Sequence, residues 1–302
     1  MPTEIAKQSL PVWEQARHDS DLTLDLPGGV PMFFRRIPAG RFRMGSRGYS
    51  AGEEPVHEVI IAREFYLSTF VVTQEQWRAV AKGSRLLKRR DDPSHDKGPR
   101  LPVEIVRWDE TTVYCRWLAK WSGLPKGTKQ VRRPTEAEWE YACRAGSESE
   151  FYNGDGEGAL AEAGWYAGNS ANRLQAVDER AESHPFGLYG MHGNAYEWCE
   201  DVWDGQAYRK RADGWASRAW TIEDAGTDAK KWDKPDGSRT AAARVLRGGA
   251  YGDATQYSRS AFRMGGRPEI GLGGCGFRVC LVLGDQEGFA KREVRSGKGR
   301  GI

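Results

Sequence analysis

The sequence contains no long uninterrupted stretch of apolar residues. A helix that spans a bilayer needs about 20 predominantly apolar residues in a row, and no run in the 302 residues approaches that length. The N-terminal stretch MPTEIAKQSLPVWEQARHDSD also lacks the basic region followed by an apolar one that marks a secretory signal. We therefore predict a cytoplasmic protein that has no membrane partner.

Cysteine is scarce as well. The five cysteines are Cys115, Cys143, Cys199, Cys275 and Cys280, and no two of them form a CxxC pair. An odd number of cysteines argues against a closed disulfide framework. Free and mostly buried thiols are the expected state.

The chain has little net charge of either sign. The formal net charge is +3, and the basic excess is concentrated in the segment 85–107 and the tail 286–302. Runs of this kind are usually solvated surface. A nucleic-acid-binding face combines clustered basic residues with interleaved aromatic ones. Neither segment does so, which argues against a nucleic-acid partner.

Aromatic residues and glycine are plentiful by contrast. The chain has 12 tryptophans and 37 glycines, and 39% of its residues are hydrophobic. This composition is typical of a folded protein that is rich in turns. Its length suits one large domain or two ordinary ones.

Three helices are predicted from their ends. In TQEQWRAVAKG (73–83) and PTEAEWEYACRAG (134–146), a threonine precedes Gln or Glu by three residues, which is the spacing of a capping box, and a glycine ends the stretch. A third helix is predicted from Asp109 to Gly123, with apolar residues at helical spacing. Those apolar residues are Val113, Trp117, Leu118 and Trp121.

Short strands and turns are predicted elsewhere. MFFRRIPAGRFRMGS and HEVIIAREFYLSTFVVT have apolar pairs typical of a hairpin that leads into the first helix. Much of the segment 145–240 shows neither period, so we expect its backbone to be held by side-chain hydrogen bonds, tight turns or a metal. Residues 1–27 are predicted to form an N-terminal extension, loosely packed over the first 20.

Several motifs in a fixed order resemble the formylglycine-generating enzyme (sulfatase-modifying factor) family. They are IPAGRFRMGS, EEPVHEV, FYLSTFVVTQEQW, LPVEIVRWDETTVYCRWL, RRPTEAEWEYACRAG, GLYGMHGNAYEWCEDVW, RVLRGGAY and GFRVCLVL. The resemblance implies a single α+β domain of C-type lectin-like fold, low in regular secondary structure, over residues 28–284. Residues 285–302 would then be a basic tail.

The residues of the family's catalytic chemistry are missing here. Members that oxidise a cysteine to formylglycine use a copper-binding cysteine pair after the motif RGG, yet residues 250–263 contain no cysteine. Soft thiolates are what Cu(I) requires, so we expect neither copper nor formylglycine activity. Cys275 and Cys280 are five residues apart on a predicted strand and should point to opposite faces. A relocated copper pair is therefore a weaker alternative to buried thiols.

The segment between RGG and GFRV suggests a different role. The family includes the variable proteins of diversity-generating retroelements, and RGGxxxxxxxxxRSAxRxxxxPxxxxxxxGFRV resembles their rewritten windows. The resemblance implies that exchangeable positions face a protein or other macromolecular ligand. The candidate ligand-binding residues are Tyr251, Gly252, Asp253, Ala254, Gln256, Tyr257, Phe262, Met264, Arg267, Ile270 and Leu272, and the exchangeable positions also include Gly265 and Gly274.

Two features frame this segment. The glycines of RGG are expected where the backbone turns tightly or is closely approached. GFRV predicts a strand with Phe277 inward and Arg278 directed outward or toward a buried acceptor. A surface loop with a few exposed apolar groups and no partner is the alternative, but Tyr257, Phe262 and Met264 are of the kind that contacts partners.

GLYGMHGNAYEWCED resembles the family's calcium-binding turn. If the family's calcium ligands are carried over by position, the resemblance implies carbonyl ligands from Gly190, Gly193 and Ala195 and a carboxylate from Glu197. This set of oxygen donors suits a hard cation. Gly190 departs from the family's Asn or Asp. A second calcium site could use Asn169 and Asp178, but the spacing of these two residues is loose. The alternative role for Glu197 is an ion pair with an arginine.

We therefore predict a non-catalytic ligand-binding domain whose variable-type surface spans residues 250–274. An enzyme of the same fold that performs another oxidation, or uses Cys275 and Cys280, remains an alternative. A third is a structural or regulatory paralogue that pairs with another protein through its basic loop.

Overall fold

The computed structural model describes residues 11–121, 123–180, 184–211, 215–216, 231–233 and 240–284. The predicted tail 285–302 lies outside this part of the chain. In chain order the strands are β1 (Leu22–Leu26), β2 (Val30–Ile37), β3 (Gly40–Met44), β4 (His57–Ile61), β5 (Phe65–Ser68), β6 (Thr128–Arg132), β7 (Gly164–Trp165), β8 (His192–Gly193), β9 (Tyr196–Val202), β10 (Trp215–Ala216), β11 (Lys231–Asp233), β12 (Thr240–Ala242), β13 (Arg244–Arg247), β14 (Arg263–Gly266), β15 (Cys275–Gly276) and β16 (Cys280–Leu283). The helices are α1 (Val12–Asp19), α2 (Gln74–Gly83), α3 (Trp108–Leu118), α4 (Glu136–Arg144), α5 (Gly156–Ala163) and α6 (Ala207–Lys210).

Two sheets organise the molecule. The five-stranded antiparallel sheet has the order β1-β2-β5-β16-β6, so the last described strand pairs between two much earlier ones. The four-stranded sheet has the order β14-β13-β9-β15. A third sheet, with the order β10-β4-β3, includes the predicted hairpin of β3 and β4. The segment 250–274 belongs to the four-stranded sheet, because it leaves β13, contributes β14 and returns as β15.

The two capping boxes are present as predicted. Thr73 begins α2 with reciprocal bonds to Gln76, and Thr135 begins α4 with reciprocal bonds to Glu138. All nine residues of α4 are buried, so this helix lies inside the domain and its charged residues need partners there.

The third predicted helix is shorter than expected. Helix α3 ends at Leu118, and its buried face is formed by Tyr114, Cys115 and Leu118. Trp117 and Trp121 are only half-buried and stack on each other with ring centroids 5.4 Å apart. The prediction that α3 reaches Gly123 is therefore wrong, because the backbone turns after Leu118, although both indoles still pack against the main core.

The domain begins before the predicted boundary at residue 28. Strand β1 pairs along its length with β2, and Leu24 and Leu26 are buried in the main core. Before it, Trp13 of α1 is buried against Phe33 and Phe70. The described part of the predicted extension is thus an integral part of the domain, because its apolar residues complete the sheet and its face.

The segment 145–240 has more regular structure than predicted. It contains α5 and the seven-residue strand β9, which lies between β13 and β15 in the four-stranded sheet. Five of the seven residues of β9 are buried, in the pattern of a strand covered on both faces. Such a strand lacks the alternation that identifies a half-exposed one.

The main core lies between the five-stranded sheet, α2 and α3. Phe277 is fully buried there, edge-on to Tyr114 with centroids 5.2 Å apart, and Tyr114 stacks on Trp77 at 5.6 Å. The prediction that Phe277 points inward is confirmed, but residues 277–279 of GFRV connect β15 to β16 and are not part of a strand. In the described residues, none of the helices combines the length and apolarity that a bilayer crossing requires.

Candidate functional site

The two glycines of RGG form a turn that other residues would not fit. Gly248 and Gly249 have φ values of +97° and +77°, in the region where side chains are strained. A Cβ on Gly249 would lie 2.5 Å from the Ser258 hydroxyl oxygen and 2.8 Å from the Tyr257 carbonyl oxygen. The backbone of the following segment therefore returns directly onto this turn.

Buried arginines anchor the same segment from within. Arg259 donates from both terminal nitrogens to the carboxylate of Glu53 at 3.0 Å. Arg263 donates from Nε and Nη2 to Glu136 at 2.5 and 2.9 Å. Paired guanidinium and carboxylate groups of this geometry fix orientation as well as distance.

The residues on either side of the segment are anchored in the same way: Arg247 lies on β13, and Arg278 lies between β15 and β16. Arg247 pairs with Glu140 and donates to the carbonyl oxygens of Ser260, at 3.0 Å, and Phe262. Arg278 donates from Nε to Glu197 at 2.8 Å. Arg278 thus points toward a buried acceptor, one of the two orientations predicted for it.

Two of these carboxylates, those of Glu136 and Glu140, are held in the charged form by lowered pKa values. Burial alone would raise the pKa of Glu136, but Arg263, Arg247 and Arg211 outweigh burial and lower it to about 2. The pKa of Glu140 is also lowered, because Arg247 and Arg144 overcome its burial. Glu136 and Glu140 therefore stay ionised at neutral pH and keep their ion pairs with Arg263 and Arg247.

The segment 250–274 alternates between buried and accessible residues. Residues 258–261 and Arg263 are buried, whereas Gly252, Ala254, Gln256 and Tyr257 are exposed. The remaining predicted ligand-binding residues are half-buried: Tyr251, Asp253, Phe262, Met264, Arg267, Ile270 and Leu272. The positions with fixed anchoring are thus those that face inward.

Several predicted ligand-binding positions have structural partners instead of free surface. Asp253 accepts the backbone N–H of Ala250 at 2.9 Å and also bonds the Tyr196 hydroxyl. Met264 and Leu272 pack against the main core. These three side chains stabilise the turn or the core, so they are not freely exchangeable.

Two of the predicted exchangeable positions require glycine. A Cβ on Gly265 would lie 2.5 Å from the Trp203 ring, and Gly274 is buried with φ of +70°. We therefore define the display surface by the other predicted residues. They are Tyr251, Gly252, Ala254, Gln256, Tyr257, Phe262, Arg267 and Ile270.

The carboxylate of the predicted calcium turn is committed to protein partners. Glu197 is 1% exposed and uses Oε1 for Arg278 at 2.8 Å and Oε2 for the indole N–H of Trp139 at 2.9 Å. The Gly193 carbonyl oxygen accepts the N–H of Ala195 at 2.8 Å. Burial raises the pKa of Glu197 in spite of these donors. The carboxylate thus serves the ion pair that was the alternative to metal binding.

The looser second calcium site is also occupied by protein contacts. Asn169 donates its amide to the Gly164 carbonyl oxygen at 2.9 Å and accepts the N–H of Tyr166, while Asp178 pairs with Arg100. Among the residues that the structure describes, no three His, Cys, Asp or Glu side chains converge in the manner of a metal site.

All five cysteines are free and buried, as predicted. Cys275 lies on β15 of the four-stranded sheet and Cys280 on β16 of the five-stranded sheet. Burial raises the pKa of both thiols, and a buried thiol held in its protonated form is a poor nucleophile and metal ligand. The two thiols therefore offer no reactive pair.

A cleft of about 710 Å³ opens beside Arg259 and Ala261 of the framed segment. We call it the charged cleft and define it by six further residues of its lining. They are Arg43, Arg47, Tyr49, Glu148, Glu150 and Asp155. Sequence reasoning missed it, because its two sides come from segments about a hundred residues apart, and the motif IPAGRFRMGS that includes Arg43 gives no indication of a cleft.

Comparison with protein families identifies the domain. The model of the sulfatase-modifying factor enzyme 1-like domain matches residues 34–282. The chain belongs to this family. Its fold is accordingly the single α+β domain of C-type lectin-like type that the motifs implied.

Relatives that resemble this chain differ in length and in the activity that their names give. The formylglycine-generating enzyme of Streptomyces coelicolor is 28% identical, over 80% of this chain and 87% of the enzyme. The inactive C-alpha-formylglycine-generating enzyme 2 of Mus musculus is 24% identical over 82% of this chain and 85% of its own length. The serine/threonine-protein kinase pkn1 of Chlamydia caviae is 28% identical over 80% of this chain, but the match spans only 37% of the kinase.

Two solved structures resemble the fold along almost their full length. PvdO from Pseudomonas aeruginosa superposes with a TM-score of 0.66 at 28% identity, covering 88% of this chain and 99% of PvdO. Treponema denticola variable protein 1 superposes with a TM-score of 0.64 at 25% identity, covering 86% and 98%. The family and its neighbours therefore include both enzymes and a protein named as variable.

Proposed function

We propose that this chain is a ligand-binding domain that presents the display surface to a protein or other macromolecular ligand. The observation that carries the proposal is the division of the segment 250–274 into buried anchors and accessible residues between them. Arg259 and Arg263 hold the backbone through buried carboxylates, while Gln256 and Tyr257 face solvent.

A rigid backbone favours binding because little ordering entropy is lost when a partner docks. Tyr257 and Phe262 supply the apolar contact, with ring centroids 5.1 Å apart in an edge-to-face arrangement. Large, rigid aromatic side chains carry much of the binding energy at protein interfaces. The similarity to a Treponema denticola variable protein adds support for a surface of the variable type.

The proposed function does not include formation of formylglycine. Residues 250–263 supply no thiol, and the described thiols are buried and protonated. Incubation with copper, oxygen and a peptide containing CxPxR is expected to leave the mass of the peptide unchanged. Conversion of its thiol to the aldehyde would contradict the non-catalytic assignment.

Binding can be tested with a matched pair of variants. The chain is screened against arrayed proteins of its source organism, and each candidate is then titrated against Gln256→Ser/Tyr257→Ser and against Arg63→Gln, an exposed control outside the segment. We expect the double variant to lose at least tenfold in affinity and the control to keep it. Equal affinities for both would remove the display surface from the interface.

The variable character of the surface has a separate test at the level of the gene. Sequencing of the source locus is expected to reveal a neighbouring reverse transcriptase and a near-copy of the coding segment for residues 250–279. A locus with neither would leave a fixed ligand surface and refute the variable type.

A further inference from the structure

The charged cleft carries charges of both signs, and each sign comes from a different part of the chain. Arg43 belongs to β3 and Arg47 follows it, whereas Glu148, Glu150 and Asp155 lie between α4 and α5. The cleft therefore has a basic segment and an acidic segment in its lining.

The two buried arginines of the lining are committed to the protein. Arg144 donates to Glu140 and to the carbonyl oxygen of Gly45, each at 2.9 Å, and Arg259 is paired with Glu53. Their positive charges are therefore compensated within the protein. The charges that a ligand would meet are thus those of the exposed rim.

At that rim, the side chains of both signs are accessible. Arg47 and Glu148 are exposed. Arg43 is also exposed and makes one long bond, at 3.3 Å, to the Val56 carbonyl oxygen. Glu150 bonds the Tyr49 hydroxyl and the N–H of Gly156, and these neutral donors leave its negative charge in place.

Tyr49 provides an aromatic surface within the cleft. Its side chain is 52% exposed, and the guanidinium of Arg259 lies 3.5 Å from its ring centroid. Its hydroxyl bonds Glu150 across the cleft, so the ring links the basic segment to the acidic one. A tyrosine held in this way offers contact area at low entropic cost.

We propose that the charged cleft binds a polypeptide segment that carries one basic and one acidic side chain close together. A ligand of a single charge sign would meet like charges on one side, whereas a dipolar segment is matched on both. The volume of about 710 Å³ lies within the range of about 300 to 1,000 Å³ that is usual for ligand sites. The proposal is independent of the display surface, since the six defining residues of the cleft belong to other segments.

The probes are blocked pentapeptides in a Gly/Ser background. Lys and Glu are separated by zero, one or two residues in both orders, and each peptide has counterparts in which Lys, Glu or both are replaced by Gln. Calorimetric titration of the full chain at low salt is expected to give at least one dipolar peptide that binds tenfold or more tightly than each of its counterparts. Addition of 0.5 M NaCl should reduce this advantage, because the contacts are exposed.

Variants of the chain assign the two charges. Arg47→Gln should remove the preference for Glu over Gln, and Glu148→Gln should remove the preference for Lys over Gln. Arg63→Gln and Glu162→Gln alter exposed charges elsewhere and should change nothing. Tyr257→Ser should also leave peptide binding intact, which separates this site from the display surface.

Three results would overturn the proposal. One is the absence of a dipolar advantage across the whole peptide set. Another is a control variant that weakens binding as much as Arg47→Gln and Glu148→Gln do. The third is binding of free lysine and free glutamate as tight as that of the best peptide, which would indicate a site for small molecules.

Discussion

At the scale of single residues, the molecule depends on a few buried carboxylates. Glu136 is fully buried and accepts from Arg263, with Arg211 at 3.5 Å and Arg247 at 3.6 Å. The charges of Glu136 and its arginine partners compensate one another only while all of these residues are present. Removal of one partner from a buried pair costs more than the pair itself contributes, because an uncompensated charge remains in a dry environment.

Glu136→Gln should therefore destabilise the domain by about 3–5 kcal/mol. The matched control is Glu64→Gln, whose partner Arg36 is exposed and whose loss should cost no more than about 1 kcal/mol. Urea denaturation of both variants measures the difference. Equal losses would mean that the buried cluster adds nothing to stability.

Glu197 leads to a second expectation at this scale. Because Arg278 and Trp139 occupy its two oxygens, Glu197→Gln should lower the melting temperature by the same amount with calcium and with a chelator. Wild-type protein should melt at one temperature in both conditions. A calcium-dependent rise that the variant loses would restore the metal site that the motif implied.

At the scale of elements, the path from β13 to β15 combines a fixed frame with a tolerant surface. Gly249→Val places a side chain on a backbone with positive φ and against Ser258. Phe277→Ala leaves a cavity between Tyr114 and Trp77, which typically costs about 3–5 kcal/mol.

Both frame variants should therefore unfold or become insoluble, whereas Gln256→Ser/Tyr257→Ser should stay within about 1 kcal/mol of the wild type. Thermal melting of the three proteins distinguishes the two classes. If the surface double variant melts as low as Phe277→Ala, then Gln256 and Tyr257 belong to the packed structure and the display surface is misplaced.

The sequence predicts elements best where the signal is local. The capping boxes at Thr73 and Thr135 fix two helix starts, because they depend on residues three apart. Strand β9 is not predicted, because a strand buried on both faces shows no alternation of apolar and polar residues. The partner of Glu197 cannot be assigned from the sequence, because Arg278 lies 81 positions away along the chain.

At the scale of the whole molecule, buried titratable groups govern stability against acid. Burial lowers the pKa of His184 to about 4 and of His192 to about 3. A histidine whose pKa is lowered in the folded state contributes fully to stability above the pKa of the unfolded state, which is about 6.5. This contribution to stability is lost as the pH falls below that value. Glu136, with its pKa lowered to about 2, stabilises the fold above pH 4.5 and loses its contribution as the pH falls toward 2.

The free energy of unfolding should therefore decrease in two stages on acidification, first below about pH 6.5 and again below about pH 4.5. His192→Gln removes one group of the first stage and should make that decline shallower, although it also lowers stability at neutral pH. Urea denaturation from pH 7 to pH 3 measures both slopes. Parallel curves for the two proteins would show that His192 does not contribute.

The position of β16 between β5 and β6 bears on how the chain folds during synthesis. Among the strands that the structure describes, β5 and β6 make no ladder with each other and are joined through residues 280–283 of β16. A nascent chain that has already emerged past α4 thus holds two strand edges that cannot close until residues 280–283 have been synthesised. Such long-range closure is slow, and open edges invite pairing with other chains. The ribosome-bound protein is therefore expected to need a chaperone for longer than a domain closed by neighbouring hairpins.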